Sequence, residues 1–301
     1  MGNAAMSRRW MLGAALLVPL VPLAGCGRSE GSGQIPPAAT GSDVQARFAD
    51  LETRFDTRLG LHAVDTGTGR EVAQRPDERF PLCSTFKVLA VAAMLAGNPP
   101  EHLQTRVRYA ATDVVDASPV TAEHVADGLT VAEVCDAALR YSDNTAGNLL
   151  LDDIGGPGAV TAFARSLGDD VTRLDRRETD LNSAIPGDER DTTSPRAIVA
   201  DLRELILGTR LDVADRTLLT DWMVGNTTGG TRIRAGLPAD WRVGDKTGAG
   251  RYGTVNDVAV AWPPGRAPIV LAVLSTGNGE EEKGDNAVIA EAARIVAAEL
   301  G

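Results

Sequence analysis

Segments with strand character lie at the two ends of this chain, and a long helical block separates them. That arrangement restricts the fold more than any other feature. Over residues 43–59, Val44, Phe48, Leu51, Phe55 and Leu59 recur at helical spacing, which predicts an amphipathic helix. "GLHAVDTGTGREVAQRP" then reads as two short strands around a Gly-rich turn. From about residue 84 to 225 the pattern is helical, with loops at "GNPP", "DASP", "GGPG" and "IPGDERDTTSP". From residue 241, "WRVGDKTG", "TVNDVAVAWPP" and "APIVLAVLSTG" read as three strands, and "DNAVIAEAARIVAAEL" as a terminal helix. The simplest packing joins the two ends into one antiparallel sheet covered by the N- and C-terminal helices. The predicted fold class is therefore α+β in two lobes. Residues 43–82 and 226–301 form the sheet lobe, residues 83–225 form an inserted all-helical lobe, and a cleft lies between them.

The chain has 301 residues, 43% of them hydrophobic, enough for one or two domains with a full core. Its formal charge is −11. Nucleic acid is excluded as a partner, because affinity for phosphate backbones needs clustered cations. No solenoid repeat is visible. The only long apolar run is N-terminal, so no membrane span is expected in the body.

That run reads as an export signal over residues 1–25. Arg8 and Arg9 precede "WMLGAALLVPLVPLAG", which is short and holds two prolines, as suits a signal core. It ends in "LAGC". This resembles the lipobox of bacterial lipoproteins, which implies a lipid on Cys26, and the paired arginines resemble a twin-arginine signal. Residues 26–42 have linker composition. The expected location is therefore extracytoplasmic, with a membrane attachment only through the lipid. Of the remaining cysteines, Cys135 lies in the apolar stretch "VAEVCDAAL" and Cys83 directly precedes Ser84. Both read as packed small residues rather than a disulfide. His62, His102 and His124 have no spacing that suggests a Ser-His-Asp triad or a metal site, so no metal and no cofactor are expected.

Four short motifs carry the chemistry. Of 30 basic residues only Lys87, Lys246 and Lys283 are lysine. In "CSTFK", Lys87 follows Ser84 by three, a spacing that puts both on one helix face. A serine hydroxyl beside an amine can be a nucleophile and its base, although alone the motif is weak. "SDN", Ser142 to Asn144, is by itself a cap or turn. "ETDLN", with Glu178 and Asn182, is by itself a solvated acidic stretch. "DKTGAG", with Lys246, Thr247, Gly248 and Ala249, is by itself a strand end.

Together, in this order, S-x-x-K, S-D-N, E-x-x-L-N and K-T-G resemble the signature set of class A β-lactamases, and the resemblance extends over residues 43–301. It implies the β-lactamase/transpeptidase-like fold, a monomer, and hydrolysis of small-molecule β-lactams. It also implies roles. Ser84 would attack the lactam carbonyl, with its own N–H and that of Ala249 as oxyanion donors beside Gly248. Lys87 would lie within reach of the hydroxyl, and Ser142 would pass a proton to the lactam nitrogen. Asn144 would orient the acyl amide, and Lys246 and Thr247 would face the substrate carboxylate. Glu178 with Asn182 would hold the deacylating water. Either Lys87 or Glu178 could take the first proton. Arg176 would pair with Asp191 across the neck of the loop carrying Glu178, and Asp143 would bond backbone. The Glu178–Thr179 peptide, where many relatives carry proline after the glutamate, would be cis. Val255 stands where many relatives carry a strand arginine, and Arg232 in "TRIRAGLP" would supply that cation from a helix end. Two departures bear on substrate range. Ala117 replaces a frequent cleft aromatic, and Gly250 gives Cys83 no cysteine partner.

Two other functions compete. A cell-wall DD-peptidase or transpeptidase shares S-x-x-K and K-T-G but lacks a deacylating glutamate in this loop, so Glu178 and Asn182 decide against it. A non-catalytic penicillin sensor would need a signalling segment or a spanning helix, and neither is visible.

Overall fold

A computed structural model describes residues 41–301 of the chain. The expected signal segment, Cys26 and all but the last two residues of the expected linker lie outside the described residues. Helix α1 (Gly41–Arg54) already includes those last two. It is shorter at its C-terminal end than the apolar spacing suggests. Asp56 takes a left-handed backbone with φ 44°, the chain turns, and Leu59 enters the core from a strand instead. That strand is β1 (Arg58–Asp65), followed by β2 (Glu71–Gln74) and the two-residue β3 (Phe80–Pro81).

The helical block starts with α2 (Phe86–Gly97) and the short strands β4 (Arg106–Val107) and β5 (Leu129–Thr130). Next come α3 (Val131–Arg140), α4 (Asn144–Ile154) and α5 (Pro157–Leu167). After a long loop and β6 (Thr192–Thr193), the block ends with α6 (Pro195–Ile206) and α7 (Val213–Val224). The four-residue α8 (Ile233–Gly236) leads into β7 (Arg242–Ala249), β8 (Val255–Trp262), β9 (Ile269–Thr276) and α9 (Asn286–Leu300). Nearly every residue of α2 is buried, including Phe86, Lys87, Leu89 and Met94. A helix apolar on all sides belongs at the centre of its lobe.

The ends of the chain do join in one antiparallel sheet, in the order β2–β1–β9–β8–β7. Leu61 pairs with Val273, and Val258 with Ala272. Side chains alternate strictly. Leu61, Ala63, Ala259, Leu271 and Val273 pack with Phe48 of α1 and Ile289 and Val296 of α9. Val258, Val260, Val270, Ala272 and Leu274 join the opposite core with Ile198 and Leu202 of α6. The terminal helices therefore cover one face only, and α6 covers the other. Burial on both faces explains why β9 reads as an unbroken apolar run although its neighbours are antiparallel.

α6 also carries a buried acid. Asp201 is 1% exposed, and its Oδ2 has no donor among the described residues; nor has Oδ2 of the nearby Asp169. Asp169 turns its other oxygen to the N–H groups of Val171 and Thr172. One proton shared by the two carboxyls supplies the missing donor. Burial, then the charge of Asp169, raises the Asp201 pKa from 3.8 to about 9. Arg165 is the cation that opposes this shift.

A group whose pKa is raised on folding stabilises fully below its unfolded value and loses that contribution as pH climbs to the folded one. The Asp201 contribution is therefore complete near pH 4 and gone near pH 9. Asp201→Asn keeps a donor without the charge. Its melting temperature relative to the parent rises steadily between those limits. Parallel melting curves from acid to alkaline pH would refute the shared proton.

Candidate active site

Ser84 sits in a single 3-10 turn, Cys83–Thr85, that runs directly into α2. The i, i+3 spacing then brings Lys87 under it, as expected. Lys87 Nζ donates to Ser84 Oγ at 2.9 Å, to the Ser142 carbonyl at 2.8 Å and to Asn144 Oδ1 at 2.8 Å. It also lies 3.0 Å from Glu178 Oε1, with both side chains fully buried. Burial lowers the Lys87 pKa, and the Glu178 charge opposes that shift. Ser84 Oγ donates to the same Glu178 oxygen at 3.0 Å. Cys83 and Cys135 are buried free thiols, not a disulfide.

The S-D-N turn joins α3 to α4. Ser142 has φ 57°, and Asp143 caps α4 by accepting from Ala146 N at 2.8 Å. The Asp143 carboxylate also accepts from Val120 N, Thr121 N and Thr121 Oγ1. Asp143 thus bonds backbone, as expected, and fastens Val120 and Thr121 to the start of α4. Asn144 sits between Lys87 and the Asp116 carbonyl, to which its Nδ2 donates at 2.9 Å. One turn further along α4, a Cβ on Gly147 would fall 2.8 Å from Lys87 Cε. Only glycine lets α4 approach the lysine so closely.

Glu178 comes from the loop between Arg173 and Asp191. Arg176 Nε donates to Asp191 Oδ2 at 2.6 Å, and the other Asp191 oxygen accepts the N–H groups of Asp175 and Arg176. The Glu178–Thr179 peptide is cis. Asn182 Nδ2 donates to Glu178 Oε2 at 2.5 Å. Asn148 of α4 grips the Glu178 main chain, accepting from its N–H and donating to its carbonyl, both at 2.9 Å.

β7 closes the opposite wall. Lys246 Nζ donates to Ser142 Oγ and to the Thr247 carbonyl, each at 2.8 Å. Burial, then the charge of Lys87, pushes the Lys246 pKa well down. Thr247 Oγ1 meets Thr228 Oγ1 at 2.5 Å. A Cβ on Gly248 would lie 2.9 Å from the Leu82 carbonyl and 3.2 Å from Cys83 Cβ. The glycine therefore lets the end of β7, with Ala249, lie against the turn that carries Ser84.

Arg232 does not hang free at a helix end. It is 9% exposed. Its Nη1 donates to the carbonyls of Gly248 and Asn256, both at 2.6 Å, and its Nε to Asn286 Oδ1 at 2.8 Å. Nη2 has no acceptor among the described residues. Its neighbour Arg234 is a structural partner. Its Nε meets Asp245 Oδ1 at 2.5 Å, and its Nη2 donates to the Met223 and Val224 carbonyls. The histidines lie elsewhere. His62 contacts Glu71 and Arg196, and His102 contacts Asp153.

Motif reading brings Ser84, Lys87, Ser142, Asn144, Glu178, Asn182, Lys246, Thr247, Gly248 and Ala249 to one cleft. It misses the residues that hold them there: Gly147, Asn148, Thr228, and Asn256, whose Nδ2 donates to the Pro81 carbonyl at 2.7 Å. The pattern "DNTAGN" contained Gly147 and Asn148, but a helical glycine and asparagine carry no signal until the facing element is known.

The constellation has a hydroxyl between an amine and a carboxylate, a second hydroxyl on a second amine, and a strand edge alongside. That is the equipment for acyl transfer to serine and onward to water. Comparison with known proteins agrees. The family profile described as the beta-lactamase enzyme family matches residues 43–300. A beta-lactamase of Amycolatopsis lactamdurans is 55% identical over 267 residues, covering 88% of each chain. Beta-lactamase AST-1 of Nocardia asteroides is 55% identical over 98% of this chain and 96% of its own. The solved beta-lactamase from Streptomyces albus G superposes with a TM-score of 0.85 at 52% identity, covering 86% of this chain and all of that one. Fold, cleft and relatives together place this chain in the beta-lactamase enzyme family, as a hydrolase of cyclic amides.

Proposed function

We propose that β-lactam hydrolysis by this chain runs through an acyl-enzyme on Ser84 that Glu178 helps to cleave. The observation that carries the reading is the buried contact of Ser84 Oγ with both Lys87 Nζ, at 2.9 Å, and Glu178 Oε1, at 3.0 Å. Ser84 Oγ attacks the lactam carbonyl carbon and its proton passes to Glu178, the acceptor it already contacts. Lys87 remains a donor to the serine oxygen. The Ser84 and Ala249 N–H groups take the charge that develops on the carbonyl oxygen. The C–N bond breaks, and the proton held by Glu178 passes on by way of Lys87 and Ser142 Oγ, which Lys246 Nζ orients at 2.8 Å, to the nitrogen, so that Glu178 is ionised again. Water then attacks the ester. Glu178, ionised again and held by Asn182, takes its proton and returns it to the serine oxygen as that oxygen leaves.

The substrate carboxylate needs a cation. Lys246 and Thr247 supply one partner set. We assign Arg232 as the second, acting from its buried position with Nη2 still free to donate. Because Arg232 also ties Gly248 and Asn256, it positions the end of β7 as well. A cell-wall peptidase reading finds no favouring observation, since Glu178 is built into the serine's own hydrogen-bond network. We further propose that the protein is exported and anchored through a lipid on Cys26, supported by "LAGC" after the apolar run. Among the described residues no helix is long and apolar enough to cross a membrane. We also read the enzyme as a monomer.

Three outcomes test this. In Glu178→Ala the nucleophile and oxyanion donors remain, and Lys87, freed of the carboxylate that opposes the lowering of its pKa, takes the serine proton in a slower acylation, while the water loses its base. Mass spectrometry with benzylpenicillin then shows a long-lived adduct on Ser84, whereas parental turnover would remove Glu178 from the mechanism. Arg232→Ala lowers kcat/KM for penicillins by roughly 1.5–3 kcal/mol, mainly through KM. Arg234→Ala acts differently. It leaves Asp245 buried without its cation, so stability falls by roughly 3–5 kcal/mol, read as a lower melting temperature. Equal KM effects from the two would reduce Arg232 to a structural residue. Finally, Cys26→Ala moves the protein from the membrane fraction to the soluble one, and a soluble parent without an acyl mass would sink the anchor.

A further inference from the structure

One buried acid beside the cleft has no part in the mechanism above. Asp257 lies in β8 directly after Asn256, whose carbonyl Arg232 holds. It is 0% exposed. Val255 and Ala259, its neighbours on the same face of β8, belong to the apolar core with α9. The strand register sets Asp257 opposite Thr247, and Ala259 opposite Asp245. Asp245 and Asp257 are therefore diagonal neighbours on one face of the sheet, where β7 carries Lys246 and Thr247.

The two acids are unequally served. Asp245 has both oxygens filled: Arg234 Nε meets Oδ1, and Asn226 Nδ2 donates to Oδ2 at 2.7 Å. Asp257 Oδ2 accepts the Ile233 N–H at 3.0 Å, but Oδ1 is buried with no donor among the described residues. The Asp257 side chain hydrogen-bonds that of Asp245. Two carboxylates cannot bond each other without a proton, and an ionised Asp257 would set a poorly served buried charge against a like one. A proton on Asp257, donated to Asp245, removes the repulsion. Burial, then the charge of Asp245, raises the Asp257 pKa well above the usual carboxylate range, against the opposing charge of Arg232.

The neutral form has consequences for the cleft. Arg232 and Arg234 bring two positive charges to this corner, and Asp245 brings one negative charge, already paired with Arg234. A second carboxylate would cancel the remainder. With Asp257 neutral, Arg232 forms no ion pair among the described residues and keeps its charge for an anion. Its position is fixed as well. Arg232 directly precedes α8, and its own side chain caps nothing there. Asp257 instead takes the N–H of Ile233, the next residue.

We propose that Asp257 is a positioning residue for substrate-carboxylate binding. As a neutral acid bridging the start of α8 to Asp245, it holds Arg232 in place without neutralising it. The proposal rests on the assignment of Arg232 to the substrate carboxylate above.

The test compares Asp257→Ala, which removes both hydrogen bonds, with Asp257→Asn, which keeps a donor for Asp245 and an acceptor for Ile233. With penicillins, Asp257→Ala raises KM by about tenfold and changes kcat little, and the Asn variant brings KM back to the parental value. In an Arg232→Ala background Asp257→Ala adds nothing to KM, because the two residues act as one unit. In protein labelled with 13C at the aspartate carboxyls, the resonance lost in Asp257→Asn sits at the position of a protonated acid at neutral pH. A resonance of an ionised carboxylate overturns the proposal. So does an Asn variant whose KM falls below the parent's, the sign of a negative charge removed. These two readings decide the matter even if Asp257→Ala does not fold. A KM rise from Asp257→Ala that persists in full without Arg232 also overturns it. If Arg232→Ala raises KM and Asp257→Ala does not, the role of Asp257 alone fails. If Arg232→Ala leaves KM unchanged, the carboxylate assignment fails and takes the role of Asp257 with it.

Discussion

Everything in this molecule is arranged around an amine and a carboxylate that meet out of water. Lys87 and Glu178 are fully buried and 3.0 Å apart. Two such charges are expensive to desolvate, and their mutual attraction compensates only when the remaining donors and acceptors are satisfied. Here they are. The lysine's three protons go to Ser84, Ser142 and Asn144, besides its contact with the carboxylate. The carboxylate has Ser84 and Asn182 as donors. To supply those partners, α2, the α3–α4 turn and the loop carrying Glu178 must converge within one hydrogen bond of one another. The glycine at 147 and the double grip of Asn148 are the local means of that convergence. The pairing of Arg176 with Asp191 closes the loop behind it.

Much of this was legible in the sequence, and the reason is physical. The four motifs combine residue types that are costly to bury with spacings set by a helix face, a cap and a strand end. Their chemistry therefore survives reading without coordinates. The three C-terminal strands and α9 were visible for a similar reason, since a sheet buried on both faces leaves long apolar runs.

What could not be read was whatever depends on the partner across a gap. Leu59 continues the helical spacing of Val44, Phe48 and Leu51, yet it reaches the same core from β1, because a turn at Asp56 is invisible to periodicity. α6 carries no mark that says it covers the second face of the sheet. Arg232 and Arg234 look alike in "TRIRAGLP". Only the structure separates one that is tied to the β7 and β8 carbonyls from one that neutralises Asp245. Asp201 looks like an ordinary helix-surface acid until Asp169 is found beside it.

The sheet has a consequence for how such a chain comes into being. β1 is hydrogen-bonded on one side to β2 and on the other to β9, the last strand before the terminal helix. During synthesis the β1–β2 hairpin emerges early and then exposes an open edge and two apolar faces. Its neighbour is not made until nearly the whole chain exists. Pairings this distant are slow to form and leave sticky intermediates. A cell that makes this protein must keep that edge covered until β9 arrives, so loss of the last two elements would release a chain whose four remaining strands form two separate pairs with nothing to join them.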